Sequence, residues 1–254
     1  MNWDKDAPVG IFDSGVGGIS VLREAVRLLP RERFLYYGDT AYAPYGTKTP
    51  QQVLQRVETV VDLLLARGIK ALVIACNTAT SVAAKALRER LDIPVIGMEP
   101  ALKPASLLRH GGCVLVMATP VTLSQEKFLG LMARYGEGAV ALPCPGLMEF
   151  VERGELDGPA LDAYLRRLLE SFETRQVDCV VLGCTHYAFL REQIARHFPA
   201  GTVLVDGNEG TVRQLRRRLT ETGLLRESGQ GSVTLETSCD RPQAVEQMRR
   251  LLQM

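Results

Sequence analysis

The sequence predicts an α/β protein made of two similar lobes, each a mainly parallel sheet flanked by helices. Short apolar runs alternate with longer segments of helical periodicity, a pattern typical of parallel sheets covered by helices. The runs fall into two successive groups, and polar residues follow corresponding runs at similar intervals. With 254 residues, the chain can form two such lobes, each with its own core.

The strand candidates are short runs rich in Val, Ile and Leu, such as VGIFD and CVLVMA. Each is followed by a turn or by a segment with helical spacing, as expected for strand–helix–strand units. The first group lies at 9–13, 34–38, 71–75 and 94–97, the second at 113–118, 139–143, 180–183 and 202–206, and a late additional strand at 232–237.

The clearest helix is predicted at 50–67. Thr49 can cap it, Pro50 suits its first position, and Gly68 can end it. Its Val and Leu residues recur on one face, which we expect to pack on the sheet. A second helix is predicted at 159–175, also with an apolar side.

Polar residues or cysteines stand at corresponding strand ends in the two groups. The ends are Asp13, the vicinity of Asp39 and Cys76 in the first group, and Thr119, Cys144 and Cys184 in the second. The matching intervals predict a duplicated unit with Cys76 and Cys184 in equivalent positions. Because ligands bind at the carboxyl ends of strands in open α/β sheets, both thiols are expected in a binding site.

Composition excludes several classes of function. The 30 Lys and Arg residues balance 29 Asp and Glu residues, which leaves no field to attract nucleic acid or an anionic membrane. No apolar stretch reaches the roughly 18 residues of a membrane span, and the first residues lack a signal-peptide core, so we expect a cytoplasmic protein. The six cysteines include no C-x-x-C pair and no His at zinc spacing, which argues against a structural metal.

The residues after the two thiols favour chemistry over simple packing. A cysteine at the end of an apolar strand usually belongs to the core, but here CNT and CTH continue with side chains that form hydrogen bonds. The amides that open the following helix favour a nearby thiolate. If the lobes face each other about a pseudo-twofold axis, the thiols flank one substrate carbon. Such a pair could remove a proton from one face and return one to the other.

Two further segments carry candidate residues. FDSGVGG at 12–18 lacks the third glycine of a dinucleotide fingerprint, because Ser20 stands there, and it lacks the Lys-Ser/Thr ending of a P-loop. Asp13 and Ser14 at its strand end remain as candidates. The linking segment at 37–48, which includes Asp39 and Tyr45, is longer than the connection requires.

Five ordered motifs, FDSGVGG, YGDTAYAPYG, ACNTATS, CPGLMEFVERG and LGCTHY, resemble those of the glutamate racemases of bacterial cell-wall synthesis. The resemblance spans about residues 9–206. It implies two α/β lobes with the substrate between them, neither pyridoxal phosphate nor metal as cofactor, and the interconversion of L- and D-glutamate for peptidoglycan. It also allows a homodimer. We expect residues 1–97 and about 208–254 to form the first lobe and 98–207 the second.

The resemblance also implies roles for individual residues. Cys76 and Cys184 would be the two bases, with Asp13 assisting Cys76, and with His186, backed by Glu152, assisting Cys184. The substrate-binding residues would be Asp13, Ser14, Tyr45, Gly46, Asn77, Thr78, Thr119, Thr185 and His186.

Three alternatives remain. An aspartate racemase shares the two-cysteine plan, but it tends to carry Glu at the position of His186. A hydrolase could use Cys184 as nucleophile and His186 as base; residues two apart on a strand-to-helix turn are expected to meet rarely in a suitable geometry, and Cys76 would then have no role. A non-catalytic amino-acid-binding module would need the polar strand ends but neither thiol.

Overall fold

The computed structural model describes residues 4–172 and 175–254. They form two compact units: the described residues up to Glu99 together with Asn208–Met254, and Pro100–Gly207. Each unit contains a parallel sheet flanked by helices, which confirms the predicted fold class. Within the described residues, no helix is both long and apolar enough to span a bilayer.

The strands agree with the predicted ones to within three residues at each end. They are β1 (Val9–Asp13), β2 (Arg33–Gly38), β3 (Ala71–Ile74), β4 (Val95–Gly97), β5 (Cys113–Ala118), β6 (Ala139–Pro143), β7 (Val177–Leu182), β8 (Val203–Asp206) and β9 (Ser232–Thr237). The helices are α1 (Ile19–Leu28), α2 (Pro50–Ala66), α3 (Asn77–Arg90), α4 (Leu102–Ser106), α5 (Pro120–Ser124), α6 (Glu126–Tyr135), α7 (Leu147–Glu152), α8 (Pro159–Leu169), α9 (Arg191–Ala195), α10 (Asn208–Glu221) and α11 (Pro242–Gln253).

The two sheets share one topology. In the first unit the strand order is β4-β3-β1-β2-β9, and in the second it is β6-β5-β7-β8, with every pair parallel. Read from the other edge, the second order is β8-β7-β5-β6, which matches β4-β3-β1-β2 strand for strand. The duplication that the sequence suggested therefore appears as a repeated arrangement of four strands, with β9 added beyond β2.

The structure confirms the helix that the sequence predicted from residue 50 and the cap at Thr49. Thr49 accepts a hydrogen bond at its Oγ1 from the amide of Gln52 (3.3 Å), and Gln52 Oε1 accepts one from the amide of Thr49 (2.9 Å). This reciprocal pair satisfies two amides that the helix cannot pair itself. The chain leaves the helix through Gly68 at φ +72°, a conformation that favours glycine.

The second predicted helix is shorter than expected. Helix α8 ends at Leu169, and residues Glu170–Phe172 form a 3₁₀ turn. The predicted end at 175 is therefore wrong, although Leu161, Leu165 and Leu169 are buried as the apolar face required. Residues 173–174 lie outside the described part of the chain.

An ion pair lies in the interior of the first unit. Lys70 Nζ is 2.6 Å from Glu32 Oε2, and both side chains are at most 1% exposed. The ammonium also donates to the carbonyl oxygens of Lys5 (2.6 Å) and Leu224 (3.0 Å), while the amide of Arg226 donates to Glu32 Oε1 (2.8 Å). The pair thus joins four chain segments at the end of the sheet where β3 begins.

We expect Lys70→Met to lower the free energy of unfolding by about 3–5 kcal/mol, because it leaves the Glu32 carboxylate buried without its cation. Urea denaturation followed by circular dichroism measures this loss. Lys85→Met, on the exposed side of α3, is the matched control and should change stability by less than about 0.5 kcal/mol. Equal stability of the two variants would contradict the prediction.

Candidate active site

Polar side chains of the first unit gather where three neighbouring strands end. Asp13 is the last residue of β1, Asp39 follows β2, and Cys76 lies two residues beyond β3. The strand ends are hydrogen-bonded side by side: the amide of Asp39 donates to Asp13 O (2.9 Å), and the amide of Ala75 donates to Phe12 O (2.8 Å). The predicted residues of this unit therefore share one edge of the sheet.

Cys76 is the N-cap residue of α3. Its Sγ accepts a hydrogen bond from the amide of Ala79 (3.4 Å) and lies 3.7 Å from Ser14 Oγ. The side chain is 7% exposed. The positive end of a helix favours negative charge on such a sulfur, so the position suits a thiol that must work as a base.

The glycine-rich segment after β1 is held in one conformation. Ser14 donates to Asp13 Oδ1 from its amide (2.5 Å) and from its hydroxyl (3.1 Å), and Tyr36 donates its hydroxyl to Gly15 O (2.7 Å). Gly18 allows α1 to approach closely, since a Cβ at this position would lie 2.7 Å from the Cβ of Asp13. Asp13 and Ser14 are thereby fixed and buried.

Asn77 and Thr78 form the first turn of α3 and are also buried. Together with Asp13, Ser14 and Cys76 they make up what we call the Cys76 cluster. All five were predicted from the sequence, and the structure brings them to the carboxyl ends of β1 and β3. Hydroxyl, amide and carboxyl groups thus lie at the same edge of the sheet as the thiol.

Tyr45 and Gly46, which were expected to bind the substrate, do not present a free side chain for it. The Tyr45 ring is 1% exposed, and its hydroxyl donates to Asp39 Oδ2 (2.6 Å). Gly46 is partly exposed. A ligand near this segment would therefore meet its backbone, because the Tyr45 hydroxyl already has an internal partner.

In the second unit, Cys184 follows β7 and precedes a 3₁₀ turn at Thr185–Leu190. Its Sγ lies 3.6 Å from His186 Nδ1, and His186 Nε2 lies 2.7 Å from Glu152 Oε1 on α7. Thr185 Oγ1 is 3.4 Å from the same Nδ1. We call Glu152, Cys184, Thr185 and His186 the Cys184 cluster.

The imidazole of this cluster is electrostatically unusual. Burial by itself lowers the pKa of His186, but hydrogen bonds to Cys184 and Glu152, together with their negative charges, raise it well above its ordinary value. The raised pKa favours the imidazolium form, in which Nε2 donates to the carboxylate and Nδ1 donates toward the sulfur.

This contact corrects one expectation from the sequence. Cys184 and His186 were expected to meet rarely because they are only two residues apart, and that expectation is wrong, since their atoms lie in contact at 3.6 Å. The carboxylate of Glu152 contacts the opposite ring nitrogen and orients the ring. Cys184, His186 and Glu152 form a line of three interacting groups.

Thr119 begins α5 at the end of β5. Its Oγ1 accepts a hydrogen bond from the amide of Thr122 (3.3 Å), and the two hydroxyls are 2.9 Å apart. The neighbouring strand end comes very close, because the amide of Gly183 donates to Met117 O at 2.7 Å. Thr119 and Cys184 therefore lie at the ends of adjacent strands, as Asp13 and Cys76 do in the first unit.

Sequence reasoning missed some residues that shape these clusters. Thr122 lies in no motif, yet it contacts Thr119; Tyr187 ends the motif LGCTHY without an expected role, and it donates its hydroxyl to Cys144 O (3.2 Å). Cys144 itself is a buried thiol that donates to Leu142 O (3.3 Å), and burial raises its pKa above the ordinary range. It is therefore a poor base.

All six cysteines lie in the described part of the chain and are free thiols. Among the described residues, no group of three or more His, Cys, Asp or Glu has the arrangement of a metal site. The two clusters contain titratable groups that can accept or donate protons and polar groups that can bind an anionic or zwitterionic ligand. Proton transfer is the chemistry that they suit best.

Known proteins resemble the chain over almost its whole length. A glutamate racemase of Clostridium perfringens is 47% identical over 254 residues, 98% of each chain. The structure of Escherichia coli glutamate racemase with L-glutamate and the activator UDP-MurNAc-ala superposes with a TM-score of 0.86 at 32% identity, covering 97% of this chain and 94% of that one. That of Francisella tularensis glutamate racemase with D-glutamate gives 0.84 at 26% identity, covering 98% and 95%.

The family of Asp/Glu/Hydantoin racemases matches residues 13–215. This range begins at the aspartate that ends β1, and it includes every residue of the Cys76 and Cys184 clusters. With nearly half of its residues identical to those of a racemase along the full length, the chain belongs to the Asp/Glu/Hydantoin racemase family of isomerases.

Proposed function

We propose that this protein is a glutamate racemase that interconverts L- and D-glutamate with Cys76 and Cys184 as its two bases and without a cofactor. The proposal is carried by the repeated position of a thiol, since Cys76 follows β3 and Cys184 follows its counterpart β7. The names of the relatives support glutamate as the substrate. The enzyme would act in the cytoplasm and supply D-glutamate for peptidoglycan.

In this mechanism one thiolate removes the Cα proton and the other thiol donates a proton to the opposite face. With D-glutamate, Cys76 takes the proton and Cys184 returns one; with L-glutamate the roles reverse. The protonation states of the two sulfurs are exchanged at each inversion. The mechanism requires the two sulfurs to approach one carbon from opposite sides, so that neither must reach around the substrate.

The Cα–H of an amino acid is far less acidic than a thiol, whose ordinary pKa is about 8.5. The site must therefore stabilise the carbanion as its carboxylate gains enediolate character. Asn77 and Thr78 offer buried amide and hydroxyl donors next to Cys76, and the first amides of α3 add to them. Thr119 and Thr185 would serve in the same way beside Cys184.

The acidic and basic neighbours would control proton traffic at each thiol. Asp13 reaches the Cys76 side through Ser14, to whose hydroxyl its carboxylate is hydrogen-bonded. His186 lies beside Cys184, and its imidazolium would hold negative charge on that sulfur while Glu152 keeps the imidazole protonated. The two thiols thus have different partners for the same task.

A cysteine hydrolase is the strongest alternative, because Cys184, His186 and Glu152 are aligned as nucleophile, base and orienting carboxylate. One observation favours the racemase: Cys76 caps α3 beside polar groups that such a hydrolase would not use.

We expect the purified protein, incubated with L-glutamate in deuterium oxide without added cofactor, to invert the amino acid and to place deuterium at Cα. Polarimetry and proton NMR measure the two signals. L-Aspartate should react about 10–200-fold more slowly, because a site that fits glutamate loses the contacts of one methylene. A hydrolase or a binding module would give neither signal, and faster turnover of aspartate would contradict the assignment of substrate.

A further inference from the structure

We propose that Arg56 and Asp39 are positioning residues for the Cys76 cluster, which they stabilise by holding Tyr45 and its segment against it. This inference rests on the proposed role of Cys76 as a base. It concerns residues outside the two clusters, on α2 and on the segment that follows β2. These side chains bind no substrate themselves; they would act through the backbone and ring of Tyr45.

Arg56 and Asp39 form a two-point ion pair. Arg56 donates from Nε to Asp39 Oδ2 (3.0 Å) and from Nη2 to Asp39 Oδ1 (2.8 Å). Asp39 is fully buried, whereas the arginine side chain is 20% exposed. The planar fork fixes the orientation of the carboxylate, which a single-point cation could not do.

The oriented carboxylate has two further connections. Asp39 Oδ2 also accepts the hydroxyl of Tyr45 at 2.6 Å, and the Asp39 amide donates to Asp13 O at 2.9 Å. Asp39 therefore connects the backbone of Asp13, in the Cys76 cluster, to the hydroxyl of Tyr45. If Asp39 turned or moved, Tyr45 would lose its hydrogen bond.

The Tyr45 ring packs in the apolar core cluster that includes Cys76, Phe12 and Ala79. Its hydroxyl has a strongly raised pKa because of burial, the hydrogen bond to Asp39, and the charges of Asp39 and Cys76. The 3₁₀ turn at Tyr45–Thr47 also contacts α3, whose N-cap residue is Cys76. The neutral ring of Tyr45 thus packs in the same part of the core as the thiol.

Arg56 also contacts the segment after β2 at a second residue, Tyr42. Its guanidinium lies 3.5 Å from the centre of the Tyr42 ring, a cation–π distance. The same guanidinium thus contacts Asp39 by hydrogen bonds, Tyr42 by stacking and Tyr45 through the shared carboxylate. A side chain on helix α2 thus holds the segment 39–47, which includes Gly46.

The test compares Arg56→Gln, Arg56→Lys and Tyr45→Phe with the control Arg90→Gln. Arg90 of α3 forms an exposed ion pair with Asp62 of α2, so the control makes the same chemical change at another ion pair of α2. Two readouts are needed: kcat/KM for glutamate, and the ratio of the iodoacetamide alkylation rates of Cys76 and Cys184, measured by peptide mass spectrometry without substrate. Cys184, in the other unit, is the internal reference.

We expect Arg56→Gln to lower kcat/KM by about 10–100-fold and to raise the Cys76:Cys184 alkylation ratio, since loosening the segment lets water reach the thiol. Arg56→Lys should lie between Arg56→Gln and the wild type, because it keeps the charge but not the fork. Tyr45→Phe removes one hydroxyl and should shift the ratio in the same direction. It replaces Arg56→Gln if that variant does not fold, as judged by circular dichroism.

A folded Arg56→Gln protein with the alkylation ratio and kcat/KM of Arg90→Gln would overturn the inference. So would a loss of kcat/KM with an unchanged ratio, because a general loss of stability would affect both thiols alike. The alkylation ratio needs no turnover. If wild-type protein did not racemise glutamate while the ratio still shifted, the proposed function would fail and the positioning of Cys76 would stand.

Discussion

Replacing either Cys76 or Cys184 with serine should lower kcat/KM for glutamate racemisation by at least about 10³-fold, because each thiol supplies general acid–base catalysis on one face of Cα. Serine is nearly the same size as cysteine, but its hydroxyl holds the proton much more tightly than a thiol does. Both directions should lose the same factor, since the two enantiomers have equal free energy in solution. Polarimetry from each enantiomer measures it.

Hydrogen exchange makes this prediction specific to two bases. In deuterium oxide, Cys76→Ser should still exchange the Cα hydrogen of L-glutamate faster than it inverts that carbon, and Cys184→Ser should do so with D-glutamate. Each variant keeps the thiol for one face only. Cys239→Ser is the control, because this half-exposed thiol lies in neither cluster. Wild-type turnover by either active-site variant would eliminate the two-base mechanism.

The sequence predicted the parts of this site that depend on local pattern. A buried strand followed by a polar turn is a local feature, so the places of Asp13, Cys76 and Cys184 at strand ends followed from the strands themselves. The repeated intervals likewise predicted a duplicated unit, which the structure shows as a repeated strand order. Glu152 came only from the resemblance, because α7 reaches His186 across 34 residues of chain.

Pairs made by tertiary packing gave no such signal. Lys70 and Glu32 look like ordinary surface charges in the sequence, yet they are buried together, and Arg56 meets Asp39 across 17 residues. The net charge of +1 gives no sign of these pairs, because each pair contributes one positive and one negative residue. Which charges become buried depends on how α2 and the strand starts pack, which periodicity alone does not specify.

The contact between Cys184 and His186 was misjudged for a related reason. The expectation considered only the spacing of two residues on one turn. The ring nevertheless points its Nδ1 at the sulfur because Glu152, from another element, holds Nε2 at 2.7 Å. A third group that is distant in sequence therefore decides the geometry of two that are close in sequence.

The second prediction with a large expected effect concerns the protonated ring of His186. His186→Asn should lower kcat/KM by about 10²–10⁴-fold, because it removes the cation that holds negative charge on Cys184 during proton transfer. Cys76 and its neighbours should be unaffected. The alkylation rates of the two thiols, measured in the same molecule, should show a slower reaction at Cys184 and an unchanged one at Cys76. A slower reaction at both thiols would indicate a general structural change instead.

Glu152→Gln tests the cause of the charge on His186. The carboxylate helps to raise the pKa of His186, so its removal should lower that pKa and move the alkaline limb of the kcat/KM profile to lower pH. NMR titration of the imidazole checks the shift directly. Glu155→Gln, which alters an exposed pair with Arg153, is the matched control and should leave the profile in place. An alkaline limb that stayed put or moved upward in Glu152→Gln would mean that Glu152 orients the ring without sustaining its charge.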